Sequence, residues 1–188
     1  MKSIIIITLV MVLNITAGFS QNPSTETRNA INKYLTALND KDVAVRLQAL
    51  KLLNDLKTLY PDYQMKEFDT FLSSQIMQTA TKGWIAALAS DVPGVRHSTL
   101  HVLVRLKSDF PKLDMSVFNN ALKKMSDKDK QLHLQVDAKI AFIYLNSSEL
   151  AATIKIQEDM APGDVFTIIH SEMDVLFQNN NPIAANLE

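Results

Sequence analysis

The sequence predicts an all-α fold, and three observations carry that expectation. Glycine is scarce, with four in 188 residues, while Ala, Leu, Lys, Gln and Met are abundant. Apolar side chains recur at three- and four-residue spacing along most of the chain, and no stretch alternates as a strand would. The third observation is internal repetition. Asp40-Lys41-Asp42-Val43-Ala44-Val45-Arg46, an apolar stripe and Tyr60-Pro61 return as Ser90-Asp91-Val92-Pro93-Gly94-Val95-Arg96, the same stripe and Phe110-Pro111. The offset is 50 throughout, aligning Leu50 with Leu100, Leu53 with Leu103, Leu56 with Leu106, Lys57 with Lys107, Met65 with Met115, Phe68 with Phe118 and Leu72 with Leu122. A helical unit repeated in this way implies a stacked array that presents a surface to another molecule.

The elements follow in order. Lys2, the apolar run 4–13 and the small residues up to Ser20 have the three-part form of a secretory signal peptide. Cleavage after Ser20 or after Ala17 fits the small-residue rule, the run is short for a membrane span, and no second run matches its length. A first helix is expected over 25–38, with Ile31, Leu35 and Leu38 on one face. Asp40 and Asp42 then supply an N-cap and negative charge at a helix start, and a helix runs to Tyr60, where Pro61 ends it. Its stripe is Val45, Ala49, Leu52, Leu53, Leu56 and Leu59. The spacing of Phe68, Phe71, Leu72, Ile76, Ala80, Trp84, Ala87 and Leu88 gives one long helix over 65–89, with a bend expected at Gly83.

Ser90, Asp91 and Pro93 open the next helix, since proline in a first turn removes an amide that has no partner there; Pro111 closes it. A shorter helix over 114–125, capped by Asp114, carries Val117, Phe118, Leu122 and Met125. A third start reads at Asp127-Lys128-Asp129-Lys130-Gln131-Leu132-His133, offset by 87 from the first, with Leu132 in the place of Val45 and His133 in the place of Arg46. Its stripe is Leu132, Val136, Ile140, Ile143 and Tyr144. After Asn146-Ser147-Ser148 a partner helix is expected over 149–160, and after Pro162-Gly163-Asp164 a last helix over 165–178 carries Val165, Ile168, Ile169, Met173 and Leu176. The expected organisation is a signal peptide over 1–20, a helical repeat domain over 21–178 and a disordered tail over 179–188.

Composition excludes several classes. The chain has no cysteine, hence no disulfide and no thiolate chemistry. Without Lys2 it carries 18 basic and 20 acidic side chains, a balance of −2, so bulk charge draws it neither to nucleic acid nor to anionic lipid. Beyond residue 20 only Gly83, Gly94 and Gly163 remain, too few for a phosphate loop, a dinucleotide fingerprint or a nucleophile elbow.

Asp40, Asp42, Val45, Arg46, Ala49 and Leu53 resemble the HEAT-repeat pattern Asp-x-Asp-x-x-Val-Arg-x-x-Ala-x-x-x-Leu. The second copy keeps Val95, Arg96 and Leu103 with Thr99 for the alanine, and the third keeps Asp127 and Asp129 with Leu132 and His133. The resemblance covers about residues 40–145. It implies a right-handed HEAT- or armadillo-like α-solenoid of about three stacked hairpins, about seven helices including a C-terminal cap, made irregular by the unequal spacing of 50 and 37. It also implies that the arginine bridges to carbonyls or carboxylates of a neighbouring repeat.

Chemistry-bearing patterns are few. His97 and His101 share a helix face at a spacing that zinc sites use, but no glutamate accompanies them and a third ligand would have to come from His133 or His170. Asp40/Asp42 and Asp127/Asp129 sit at repeated helix starts, which favours capping over acid–base work. The expectation is therefore a non-catalytic, exported scaffold, periplasmic or secreted, without cofactor or metal, that binds a protein or peptide along one face. On the HEAT analogy that face takes Lys66, Asp69, Ser73, Asn119, Lys123 and Lys124, with Thr70 and Asn120 beside them. Trp84, on a stretch with no counterpart in the second repeat, is expected to project as an anchor. Two alternatives are a carrier of an apolar ligand, lined by Met65, Phe68, Met115, Phe118 and Trp84, and a metal-dependent hydrolase using His97 and His101.

Overall fold

The structure, a computed structural model, describes residues 25–56, 62–157 and 160–179. The expected signal peptide, the cleavage sites, Tyr60-Pro61 and the tail beyond Asn179 lie outside them. Among the described residues the chain is all-α. Its eight helices are α1 (Thr25–Ala37), α2 (Val43–Asp55), α3 (Asp62–Leu88), α4 (Pro93–Asp109), α5 (Asn119–Lys128), α6 (Leu132–Leu145), α7 (Ser148–Thr153) and α8 (Pro162–Asn179). A 3₁₀ turn, Ser116–Phe118, leads into α5 where a helix start at Asp114 was expected; Asp114 Oδ1 accepts from Ser116 N at 2.9 Å. None of the described helices is long and apolar enough to cross a membrane.

Helices α1 and α2, α3 and α4, and α5 and α6 pack as hairpins. Within this set α1, α3 and α5 form one row and α2, α4 and α6 the other, and α8 lies against α4 and α6. The Asp-x-Asp turn thus connects the two helices of one hairpin, and α3, which pairs with α4, opens the next. Ile31, Leu35 and Leu38 of the first hairpin, Leu72, Ile76 and Trp84 of α3, Leu100 and Leu103 of α4, and Phe118 and Leu122 of the third hairpin belong to one continuous buried core.

The three starts of the second row are built alike. The residue before each helix, Asp42, Val92 or Gln131, is extended, and a side chain two positions earlier accepts its backbone amide: Asp40 at 2.8 Å, Ser90 at 3.2 Å and Asp129 at 2.9 Å. Only Asp42 also caps with its own side chain, accepting from Ala44 N at 2.8 Å.

These equivalences correct the third repeat. Asp129, and not Asp127, matches Asp40, while Asp127 sits in the last turns of α5. The residue in the arginine position is Gln135, and not His133. Arg96 Nη1 donates to the carbonyl of Ser90, six residues back, at 2.7 Å, and Gln135 Nε2 donates to the carbonyl of Asp129, six residues back, at 2.7 Å. Leu134 and Ala138 then stand where Val45 and Ala49 stand; Leu134, Ala138 and Ala49 are buried, whereas Val45, expected in the buried stripe, is 38 % exposed. A two-residue shift turns a helix by about 200°, and it divides the expected stripe: Ile140 and Tyr144 are buried as their spacing predicts, while Leu132 is 74 % exposed, and Val136 and Ile143 are exposed too.

α4 is the central helix, buried along nearly its whole length, polar side chains included. Each of those polar groups needs a partner, because an unpaired buried charge or donor is costly. Arg96 donates Nε to Asp129 Oδ2 at 2.6 Å and Nη2 to Oδ1 at 2.8 Å, a two-pronged pair between α4 and the turn before α6. Arg105 pairs with Asp109, Lys107 donates to the Leu113 carbonyl at 2.7 Å, and Ser108 Oγ accepts from Ile156 N at 3.0 Å. In the preceding repeat Ser90 stands where Asp129 stands in the third, so Arg46 donates to hydroxyls, Ser98 Oγ at 3.0 Å and Thr99 Oγ1 at 3.4 Å, and its Nε is left without a partner. Burial lowers the Arg46 pKa, against the opposing pull of Asp40 and Asp42.

The helix expected over 149–160 stops at Thr153. Ile154 is extended, and its carbonyl accepts from Tyr144 Oη at 2.7 Å, which with the Ile156–Ser108 bond lays the strap over the end of α4. Burial of Tyr144 pushes its phenol up to about 12, so it stays a donor at any ordinary pH.

Replacing Arg96 by Leu strands the Asp129 carboxylate, only 3 % exposed, and is expected to destabilise the fold by about 3–5 kcal/mol. Urea unfolding followed by Trp84 fluorescence measures this; a loss under about 1 kcal/mol would show that the pair does not tie the second hairpin to the third.

Candidate functional site

The residues expected to line a binding face divide into three groups. Trp84 is 1 % exposed. Its indole Nε1 donates to the Leu38 carbonyl at 3.2 Å, satisfying a group that α1 leaves free at its end, and its ring lies 6.3 Å from that of Phe118. It is a core residue, not a projecting anchor. Next to it, a Cβ on Gly83 would meet Asn39 Oδ1 at 2.7 Å, so the glycine in mid-helix allows α3 to approach the turn after α1. Asn119 is engaged in a reciprocal amide pair with Asn146, at 3.1 and 2.9 Å, that joins the start of α5 to the end of α6. Lys123, Lys124, Thr70 and Asn120 are exposed, while Asp69 and Ser73 are half-buried, Ser73 Oγ donating to the Thr70 carbonyl. These polar residues share the α3–α5 row; Lys66 lies on α3, in a part whose side chains are outside the description.

Phe71 of α3 and Val117 just before α5 are exposed as well, but the helix that exposes most large apolar side chains among the described residues is α6. Ten of the fourteen residues of α6 are apolar, more than one face can bury. Leu134, Ala138, Ala141, Tyr144 and Leu145 take the core face, and Leu132, Val136, Phe142 and Ile143 are exposed together, with Lys139 among them. At about 100° per residue, Leu132 and Phe142 lie about 140° around the helix from Asp137, which faces α4. The stripe is therefore the outer flank of the last helix in the α2–α4–α6 row. Sequence reasoning assigned most of these residues to the core; the apolar excess of α6 was the signal that a second face existed.

A second constellation sits between α4, α6 and α8. His97 Nε2 is 3.5 Å from Asp137 Oδ2, its ring stands edge-on to His133 with centroids 6.3 Å apart, and the buried ring of Phe166 lies 5.8 Å away. His101, one turn along α4, is 4 % exposed and its Nδ1 has no partner. Burial, followed by the nearby His97 and Arg105, lowers the His101 pKa from 6.5 to about 4, so it is neutral at physiological pH. Burial raises the Asp137 carboxyl, with His97 and His133 opposing. At Asp129 burial also pushes upward, but the Arg96 hydrogen bonds, the Gln131 amide and the positive charge of Arg96 and His133 outweigh it and leave the carboxyl below its ordinary range. His170 is exposed and pairs with Asp174 at 3.3 Å on the outside of α8. Among the described residues no group of three or more His, Asp or Glu side chains is arranged to hold a metal ion. Of the expected ligand-pocket residues, Phe68, Met115, Phe118 and Trp84 are all buried in the core, and Met65 is outside the described side chains.

Compared with family models, curated proteins and solved structures, the chain matches none.

The buried His101 makes stability depend on pH. Between about pH 6.5 and about pH 4 the unfolded chain binds a proton at this position and the folded chain does not, so stability falls as pH is lowered through that window and the dependence ends below it. The contribution lost is about 2–3 kcal/mol. Urea midpoints measured across the window for His101→Leu are expected to show a correspondingly shallower slope; an unchanged slope would mean that His101 takes up its proton without cost in the fold.

Proposed function

We propose that the chain is an exported, non-catalytic helical-repeat scaffold of the HEAT/armadillo kind that binds a protein partner, and that the outer flank of α6 is where the partner docks. The exposed stripe Leu132, Val136, Phe142 and Ile143 is the observation that supports this reading. In the α2–α4–α6 row each helix lies along its neighbour, and α6 presents an apolar flank on the far side from α4. A helix of the partner laid along that flank would continue the row. Burying the four side chains would supply at most about 1.5–3 kcal/mol each, and less for Val136, Phe142 and Ile143, which are already more than half covered, before the cost of association. Lys139, within the stripe, calls for a carboxylate on the partner.

The exposed polar residues Thr70, Asn120, Lys123 and Lys124 form the competing face, on which Phe71 and Val117 are the large apolar side chains exposed on the same elements. The reading of export rests on the sequence of residues 1–20 alone.

A photo-crosslinking residue placed at Leu132 is expected to trap one defined protein in envelope extract, and the same residue at Lys124 is expected to trap nothing above background. Val136→Glu is expected to weaken capture at Leu132 at least about tenfold, since a buried carboxylate without a partner costs more than about 1.4 kcal/mol. Capture at Lys124 alone would move the site to the α3–α5 row, and no capture at either position would remove the scaffold reading. Sequencing the amino terminus of the secreted or periplasmic product tests export: a start at Gln21 or Gly18 agrees with it, and an intact Met1 contradicts it.

A further inference from the structure

Three side chains with metal-ligand chemistry meet at the seam between α4 and α6. α4 supplies His97, and α6 supplies His133 and Asp137, four residues apart and hence on one face of that helix. His97 Nε2 stands 3.5 Å from Asp137 Oδ2, longer than a good hydrogen bond between these atoms. Two ligands of one tetrahedral zinc ion, each at its usual bond length, stand about 3.3 Å apart, so this pair already has nearly the separation that a shared cation needs. The His133 ring is 6.3 Å from the His97 ring, centroid to centroid; two imidazoles on one tetrahedral zinc ion lie about 5 Å apart. As the side chains stand, the set is therefore not closed around one point. His133 is exposed, and a change of rotamer brings its ring the remaining distance at little cost to the packing.

The surroundings favour a cation at this place. Burial raises the Asp137 carboxyl, a cost to its charged form that a neighbouring positive ion offsets. The buried Phe166 ring, 5.8 Å from that of His97, keeps water from part of the seam. The strongest charges nearby are engaged with one another: Arg96 holds Asp129 through two hydrogen bonds, and Arg105 pairs with Asp109. His170 and Asp174 on α8 are also four residues apart and 3.3 Å from each other, but they are exposed and offer two donors. Imidazole nitrogens with one carboxylate oxygen suit zinc and its neighbours among the transition ions, whereas calcium and magnesium take sets of oxygens.

We propose that His97, His133 and Asp137 form a site for a divalent transition-metal ion of the zinc kind, held by two imidazole nitrogens and one carboxylate oxygen, with water in the fourth position. The set takes one histidine from the His97/His101 pair that the sequence singles out and crosses to α6 for the rest. His133 swings inward as the ion arrives, and the ion takes the place of a proton between His97 and Asp137, so binding weakens as pH falls. The bound ion ties the third hairpin to the second alongside the Arg96–Asp129 pair, and it does not depend on what docks on the α6 flank.

Calorimetric titration of the untagged protein, stripped with chelator, with Zn²⁺ at neutral pH tests the site. One ion per chain is expected to bind with a Kd of about 10 μM or below, and Co²⁺ in its place is expected to give the visible absorption bands of a four-coordinate ion. His133→Gln, at an exposed position and so the variant least able to harm the fold, is expected to weaken Zn²⁺ binding at least about tenfold, as are His97→Gln and Asp137→Asn, while His170→Gln leaves it unchanged. Trp84 emission without metal checks that each variant is folded. The proposal is overturned if Zn²⁺ binds more weakly than about 10 μM, if His133→Gln binds it as the unaltered protein does, or if His170→Gln removes the binding and so assigns the ion to α8.

Discussion

The burial of α4 is the constraint on which the rest of the structure depends. A helix with neighbours on every side loses free energy for each polar atom it takes inside unpaired, and α4 takes in two arginines, a lysine, a histidine, a threonine and a serine, of which His101 keeps an unpartnered Nδ1. Most of those partners come from other elements. Arg96 draws the turn before α6 into a fixed place through Asp129, Ser108 fixes the strap after α7 through Ile156, and Arg46 of α2 reaches the hydroxyls of Ser98 and Thr99. The apolar core sets the density of the packing, but these directional bonds set which hairpin lies where. A hydrophobic stripe alone tolerates sliding and rotation; a two-pronged guanidinium–carboxylate pair does not.

That distinction also explains how far the sequence could be read. The fold class and most helix boundaries are legible because they depend on local physics: periodicity, capping side chains, and prolines that stop or start a helix; within the expected stripes Val45, Phe71 and Val117 are exposed, because periodicity does not say which neighbour covers a face. Ile31, Leu35 and Leu38 of the first hairpin, and Val165, Ile169 and Met173 of α8, are buried as their spacing predicts. The third repeat was misread because Asp127-Lys128-Asp129 copies Asp40-Lys41-Asp42 in letters while the helix begins two residues later than that copy implies. α6 is apolar on both candidate faces, so no periodicity could choose between Leu132-Val136-Ile143 and Leu134-Ala138-Ala141. The choice is made by tertiary contacts: Asp129 to Arg96, Gln135 to the Asp129 carbonyl, and Tyr144 to the strap. Trp84 was misplaced for a related reason. Its stretch of α3 lacks a counterpart in the second repeat, yet Gly83 brings that stretch close to the end of α1, where the indole finds a carbonyl.

The functional reading grows from the same register. Turning α6 so that Leu134 and Ala138 fill the core leaves four large apolar side chains on the flank of the last helix in its row, the place where another repeat would otherwise stack. It also turns His133 and Asp137 toward His97.

Because everything proposed for α6 depends on its rotation, the most direct measurement is the reactivity of single cysteines introduced along it. The chain has no cysteine of its own, so each thiol reports one position. Maleimide labelling under native conditions is expected to be fast at 132, 136 and 143 and strongly protected at 134 and 138. The opposite pattern, with 134 and 138 reactive and 132, 136 and 143 protected, would contradict the register, and with it the exposed flank and the histidine seam.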